Sequence, residues 1–78
     1  MVGSRGTEVL ELQKLLIRLG YLGPAYTTGY FGPRTFGAVL TFQEDYAEEI
    51  LAPAGLENGT GIVGPRTREK LNQISRGF

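Results

Sequence analysis

The sequence predicts an all-α fold: a compact three-helix bundle with two ordered glycine-rich loops and an internal loop-helix repeat. Apolar residues recur at helical spacing in three segments, loops rich in glycine separate these segments, and one seven-residue pattern occurs twice. The 78 residues have room for one domain, which we place at residues 1–78 with its core at about 4–75. A core this small must be tightly packed to be stable.

The composition argues against several classes of function. The chain has neither cysteine nor histidine, which removes disulfides, thiolate nucleophiles, histidine bases and the usual zinc ligands. We therefore expect no metal, no cofactor and no enzymatic activity. Basic and acidic residues number 8 each, so no net field attracts nucleic acid. No apolar run approaches the length of about 20 residues that a membrane span needs.

Periodicity and turn residues predict the helix bounds. The first helix covers about residues 7–19, with Thr7 as its N-cap and Gly20 as the residue that ends it. The second begins at Gly32-Pro33 and runs to about residue 50 or 51, and the third begins at Gly64-Pro65. Loops at residues 21–31 and 52–61 connect them. The inward stripes are Val9, Leu12, Leu16 and Leu19, then Thr35, Val39, Phe42, Tyr46 and Ile50, then Thr67, Leu71 and Ile74.

The repeated pattern marks two loop-to-helix corners. Residues 29–35 (GYFGPRT) and 61–67 (GIVGPRT) are identical at five of seven positions, at a constant offset of 32 residues. We expect the first glycine of each to take positive φ and the hydrophobic pair that follows it to pack into the core. Thr35 and Thr67 fall at the third helical position, where a hydroxyl can reach the unpaired amides of the helix start.

Beyond the repeat, short motifs follow one another along nearly the whole chain. They are Gly6-Thr7-Glu8-Val9, Leu12-Gln13, Leu15 and Leu19-Gly20-Tyr21, then Gly29-Tyr30-Phe31-Gly32, Thr35, Ala38-Val39 and Phe42-Gln43, then Gly55-Leu56, Gly61-Ile62-Val63-Gly64, Thr67 and Leu71. In this order and spacing they resemble the peptidoglycan-binding domain found beside cell-wall hydrolases and other envelope proteins. The chain departs from that family at Thr28 and Thr60, where an aspartate often precedes the turn glycine, and residues 47–58 form a longer connection than in its shortest members.

The resemblance implies a non-catalytic, monomeric bacterial module that binds a glycan strand or a stem peptide of peptidoglycan. It also implies a cell-wall-associated, extracellular or periplasmic location, within a larger modular protein whose linked domain the module brings to the wall. Residues 1–5 lack the hydrophobic stretch of a signal peptide, so a targeting segment would lie outside this sequence. The predicted partner is therefore peptidoglycan, without nucleic acid or membrane insertion.

Nine residues around the two corners are candidates for ligand binding. They are Tyr26, Tyr30, Gly32, Arg34, Thr35, Gln43, Gly64, Arg66 and Thr67. Tyrosine rings offer flat surfaces to sugars, and arginines offer paired donors to carboxylates. Each candidate also has a structural interpretation: Gln43 and the threonines as buried groups bonded to loop backbone or the helix start, the arginines as solvated side chains, and some of the tyrosines as core.

Rival functions remain open at this stage. Related three-helix folds precede some extracellular metalloproteases, so the chain is alternatively a protein-docking or inhibitory prodomain. A helix-turn-helix DNA-binding function would use the basic residues of the third helix, but the chain as a whole is neutral. The acidic residues Glu44, Asp45, Glu48 and Glu49 lie opposite the apolar stripe, so we expect a solvated face and no glycosidase site.

Overall fold

The computed structural model describes residue 3 and residues 5–76, and it is all-helical, as the sequence predicts. The described part contains four α-helices: α1 (Thr7–Arg18), α2 (Pro33–Asp45), α3 (Ala47–Ile50) and α4 (Pro65–Ser75). Each long loop contains one 3-10 turn, at Pro24–Tyr26 and at Ala52–Ala54. None of the described helices is long and apolar enough to cross a bilayer. Met1, Val2 and Ser4, part of the segment without a signal-peptide stretch, lie outside the described residues.

The second predicted helix is divided, which corrects the prediction of three helices. Tyr46 interrupts it with φ −114° and ψ 39°, and the separate turn α3 follows. The ring of Tyr46 packs 5.0 Å from that of Phe42, centroid to centroid. The break turns the chain so that α3 packs against α4. Ile50 and Leu51 become almost completely buried there. The free energy gained by burying these two side chains exceeds the cost of breaking the helical geometry at the single residue Tyr46.

Glycines determine both ends of α1. The N-cap is Gly6 and not Thr7, because the chain enters the helix with φ 124°, a value that L side chains rarely adopt. Thr7 is instead the first helical residue. At the other end Gly20 takes φ 90°, and the N–H of Tyr21 donates to the carbonyl of Leu16 at 2.8 Å. The predicted glycine stop of the first helix is therefore confirmed.

The core lies where the apolar stripes of α1, α2 and α4 meet. Its buried members are Val9, Leu16, Leu22, Phe31, Ala38, Val39, Phe42, Ile50, Leu51 and Leu71. Phe42 is completely buried, and the ring of Tyr21 meets it edge-on at 5.4 Å between centroids. Leu12, Leu19, Tyr46 and Ile74 of the predicted stripes are only partly buried against this cluster. The two repeated corners lie at the start of α2 and of α4.

Candidate functional site

The first corner (residues 29–35) and the second corner (residues 61–67) have nearly the same backbone. Gly29 and Gly61 take φ 75° and 74°. Gly32 and Gly64 are the N-caps of α2 and α4, with φ/ψ of −97°/−171° and −88°/−174°, and a proline begins each helix. The predicted positive φ of the turn glycines and the predicted helix starts are both confirmed.

A buried glutamine holds the first corner together. The Oε1 of Gln13, on α1, accepts the N–H of Thr28 at 3.0 Å and that of Gly29 at 2.9 Å. Its Nε2 donates to the carbonyl of Tyr30 at 2.9 Å and to the hydroxyl of Thr35 at 3.0 Å. The side-chain amide thus accepts two hydrogen bonds and donates two. Both of its polar atoms are therefore paired, although the side chain has no contact with solvent.

Gln43 makes the same set of bonds at the second corner. Its Oε1 accepts the N–H of Thr60 at 2.8 Å and that of Gly61 at 2.9 Å. Its Nε2 donates to the carbonyl of Ile62 at 2.9 Å and to the hydroxyl of Thr67 at 3.1 Å. We call these two arrangements the glutamine clasps. They confirm that Gln43 bonds loop backbone, and they extend the repeat back to the glutamine of the preceding helix.

The clasps correct the role expected of the two corner threonines. Neither α2 nor α4 has a side-chain hydrogen bond at its N-cap, and the hydroxyls of Thr35 and Thr67 instead accept from the glutamines. A proline at the first helical position has no N–H, so the helix start offers one fewer amide to cap. A buried glutamine, in contrast, must find acceptors for its amino group.

Thr28 and Thr60 directly precede the turn glycines of the two corners. The hydroxyl of Thr28 accepts the N–H of Tyr30 at 3.2 Å, and that of Thr60 accepts the N–H of Ile62 at 3.1 Å. Asparagine and aspartate close turns with the same bond to the amide two residues on, and threonine replaces them with a hydroxyl. The threonines therefore preserve the turn without its negative charge.

The hydrophobic pair of each corner does not pack inward as a unit, contrary to the sequence prediction. Phe31 is buried and Val63 half-buried, but Tyr30 is 39% exposed and Ile62 is 51% exposed. The N–H of Gly32 donates to the carbonyl of Tyr30 at 3.0 Å and that of Gly64 to the carbonyl of Ile62 at 3.1 Å, so a tight three-residue turn centred on Phe31 or Val63 separates the two side chains of each pair. Each corner therefore presents one hydrophobic side chain to solvent.

The two corners differ in what covers them. At the first corner the amino-terminal segment pairs with the loop: the N–H of Gly3 donates to Phe31 at 2.8 Å and that of Gly6 to Gly29 at 3.0 Å. At the second corner the ring of Phe36 lies over Gly61, so closely that a Cβ on that glycine would approach it to 2.1 Å. The two corners therefore share a backbone conformation, but the amino-terminal backbone packs over the first and an aromatic ring packs over the second.

A groove of about 410 Å³ opens beside the second corner. We call it the second-corner groove; its lining is Gln43, Ile50, Leu51, Ala54, Leu56, Thr60, Ile62, Gly64, Pro65, Arg66 and Thr67. Leu56 (43% exposed) and Ile62 are large hydrophobic side chains with much of their surface in solvent. The exposed side chain of Arg66 is the charged member of the lining. Such a concave, mostly apolar surface is typical of ligand sites.

A separate groove of about 340 Å³ lies beside the first corner. Its lining comprises Tyr21, Leu22, Gly23, Tyr26, Pro33, Arg34, Gly37, Ala38 and Thr41. The guanidinium of Arg34 lies 5.4 Å from the centroid of the half-buried Tyr26 ring, within cation–π range. The ring and the charge at this corner therefore contact each other.

The nine predicted ligand residues are divided between these places. The second-corner groove contains Gln43, Gly64, Arg66 and Thr67, the first-corner groove contains Tyr26 and Arg34, and Tyr30, Gly32 and Thr35 line neither. Gln43, Thr35 and Thr67 are buried, with their polar atoms engaged in the clasps. Their contact with a ligand stays a prediction, as it does for the other six.

Sequence reasoning missed the aliphatic half of the second-corner groove. Ile50, Leu51 and Leu56 come from the end of α3 and the loop after it, and Ile62 from the corner itself. A leucine in a glycine-rich loop has no helical phase to satisfy, so Leu56 carried a usable signal.

Among residues 3 and 5–76 the ionisable groups show no arrangement suited to acid-base chemistry. Within the described part of the chain no three metal-ligating side chains cluster, and Glu44, Asp45, Glu48 and Glu49 are exposed, as predicted. Burial raises the pKa of the Tyr21 hydroxyl well above its ordinary value, and the hydrogen bond it donates to Asp45 at 2.7 Å adds to that effect. This contact fastens the loop to α2, away from the second-corner groove.

Comparison with known proteins gave one match. A family model described as "Putative peptidoglycan binding domain" matches residues 5–48, more than half of the 78-residue chain. The matched span contains the whole first clasp and Gln43 of the second. No curated protein and no solved structure matches the chain significantly.

Proposed function

This chain belongs to the peptidoglycan-binding family, and from that premise we propose that it binds cell-wall peptidoglycan in the second-corner groove without chemistry of its own. The observation that carries the proposal is the groove itself. It combines exposed aliphatic side chains, Leu56 and Ile62, with one exposed cation, Arg66. Binding is favoured when a ligand removes large aliphatic side chains such as these from water.

The Gln43 clasp supports this proposal because it fixes one wall of the groove. Four hydrogen bonds of 2.8–3.1 Å join residues 60–62 and Thr67 to α2, so the loop is already ordered before a ligand binds. Ordering costs about 0.5–1.5 kcal/mol for each flexible side chain immobilised at an interface, and a preformed site avoids part of that cost. Gln43 and Thr67 thus act as supports of the groove, with Ile62 and Arg66 as its contacting groups.

The biological role that we propose is to bring a linked domain to the wall, in an extracellular or periplasmic setting. Tethering raises the local concentration of the linked domain on an insoluble substrate, to the millimolar range for short flexible linkers. This effect requires binding only, as a monomer, and no catalytic group on the module.

Co-sedimentation with purified, protein-free peptidoglycan tests the proposal. The wild-type chain should pellet with the wall material, and Ile62→Ser should remain largely in the supernatant because it removes an exposed aliphatic wall of the groove. Leu10→Ser is the matched control, since Leu10 is a partly exposed residue of α1 outside both grooves. A wild-type chain that stays in the supernatant at modest salt contradicts wall binding and favours the rival prediction of a protein-docking prodomain.

A further inference from the structure

We propose that the second-corner groove binds the stem peptide of peptidoglycan and not its glycan strand, with Arg66 pairing the C-terminal carboxylate of that peptide. The inference rests on the proposed wall-binding function and specifies which part of the polymer is bound. Three properties of the groove lead to it: aliphatic walls, polar groups that are already engaged, and an arginine that has no internal partner.

The walls of the groove suit methyl groups better than sugar rings. Its lining contains no aromatic residue, so it offers no flat ring on which a pyranose could stack. The apolar surface comes from Ile50, Leu51, Ala54, Leu56, Ile62 and Pro65. Alanine side chains of a short peptide would bury their methyl groups against this surface at a gain of roughly 0.8 kcal/mol per fully buried carbon.

The polar side chains of the groove other than Arg66 are committed to the fold. Gln43 is 1% exposed and uses its amide in the clasp, and the hydroxyls of Thr60 and Thr67 bond within the same network. A glycan strand placed here would bury hydroxyl groups against these three side chains, and the guanidinium of Arg66 alone could not pair the several hydroxyl and N-acetyl groups that each disaccharide carries. Each unpaired buried hydroxyl costs free energy, which disfavours a saccharide as occupant.

Arg66 supplies the charge complementarity. Its side chain is exposed at the second position of α4, and among residues 3 and 5–76 no carboxylate lies within ion-pair distance of it. The equivalent Arg34 lies over the ring of Tyr26, whereas the loop of residues 52–61 contains no aromatic residue that could engage Arg66 in the same way. A guanidinium presents paired donors to a carboxylate, and stem peptides carry free carboxylates, whereas the glycan hydroxyls are neutral.

Three soluble probes test the choice of ligand. They are a synthetic stem pentapeptide ending in D-alanyl-D-alanine, the same peptide with a C-terminal amide, and glycan strands freed of peptide by an amidase, with the lactyl carboxylates that this cleavage exposes converted to amides. With nitrogen-15-labelled protein, the free acid should shift the amide signals of Leu56, Ile62 and Arg66. The C-terminal amide should bind about tenfold more weakly, as expected for loss of a hydrogen bond to a charged group. The glycan strands should leave these signals in place.

Two variants locate the charge contact. Arg66→Gln should weaken the free acid about tenfold and leave the affinity for the amide nearly unchanged. Arg68→Gln is the matched control, because it removes the same charge from an exposed position on the same helix outside the groove. Both residues are exposed, and an unchanged amide spectrum of each free variant verifies its fold.

Other outcomes overturn the inference. Glycan strands that shift the groove signals while the pentapeptide does not would show that the sugar is bound. Equal affinity for acid and amide, or for Arg66→Gln and wild type, would exclude the arginine contact. Co-sedimentation of the wild type with intact wall material, without binding to the pentapeptide, would refute the inference alone. Failure of both assays would refute the proposed function with it.

Discussion

Replacing Gln43 with alanine should remove a large part of the stability of this domain. The substitution deletes four hydrogen bonds between 2.8 and 3.1 Å and a fifth of 3.4 Å to the hydroxyl of Thr60, which join α2 to the second loop and to α4. The carbonyl of Ile62 keeps a second donor, the N–H of Gly64 at 3.1 Å, and the amide of Thr60 lies near solvent. The amide of Gly61, however, is buried and loses its acceptor.

The magnitude follows from these partners. An unsatisfied buried amide costs about 1–3 kcal/mol, and the deleted side-chain atoms leave a void in a fully packed site. Together they predict a loss of about 3 kcal/mol in the free energy of unfolding. A domain of this size is stable by about 4–12 kcal/mol in total, so at the low end the variant keeps only about 1 kcal/mol and roughly a sixth of its molecules are unfolded at 25 °C. At about 4–8 °C per kcal/mol, the melting temperature falls by about 12–24 °C.

Urea unfolding followed by far-ultraviolet circular dichroism measures this change, with Gln13→Ala as a parallel test of the first clasp. Gln73→Ala is the control, because Gln73 is an exposed glutamine of α4 whose side-chain contact is a 3.4 Å bond from Lys70. It should alter the free energy of unfolding by less than about 0.5 kcal/mol. A loss below about 1 kcal/mol for Gln43→Ala, comparable to the control, would refute the view that the clasp supports the fold.

Two further predictions concern the loops. Gly61→Ala and Gly55→Ala both place a side chain at φ 74°, but only the first meets Phe36, and Gly55 faces open space. By urea unfolding Gly55→Ala should cost about 1 kcal/mol and Gly61→Ala about 1–3 kcal/mol more; equal losses would contradict the packing of Phe36. The pKa of Tyr21 is raised in the folded state, so the folded chain holds the hydroxyl proton more tightly than the unfolded chain does. The free energy of unfolding should therefore fall as pH rises past about 10. Tyr21→Phe should reduce that decline, and an identical pH profile for the two proteins would argue against the contact with Asp45.

Local chemistry made the helix starts and the bonding of Gln43 to loop backbone predictable from the sequence. Proline after Gly32 and Gly64 fixes where α2 and α4 begin, whatever the tertiary context. The position of Gln43 within an apolar stripe required hydrogen-bond partners, and glycine-rich loop backbone was the nearest source of them. These inferences need only a few consecutive residues or one helical phase.

Tertiary packing determined what the sequence could not predict. The break at Tyr46 leaves the apolar phase intact on both sides, so only the packing of α3 on α4 reveals it. The exposure of Ile62 depends on which member of the pair faces the core, and composition does not distinguish them. The placement of the corners beside two different grooves depends on how the helices pack, which no local pattern encodes.

The position of Gln43 and its partners in the chain has a practical consequence for dissecting this domain. A fragment cut after residue 48, where the family match ends, would contain Gln43 but none of the groups it bonds. Because Thr35 and Gln43 both lie on α2, the same helix receives the first clasp and supplies the second. The first and second clasps are thus connected through α2. Any shortened version of the domain that is intended to fold must extend at least through Thr67.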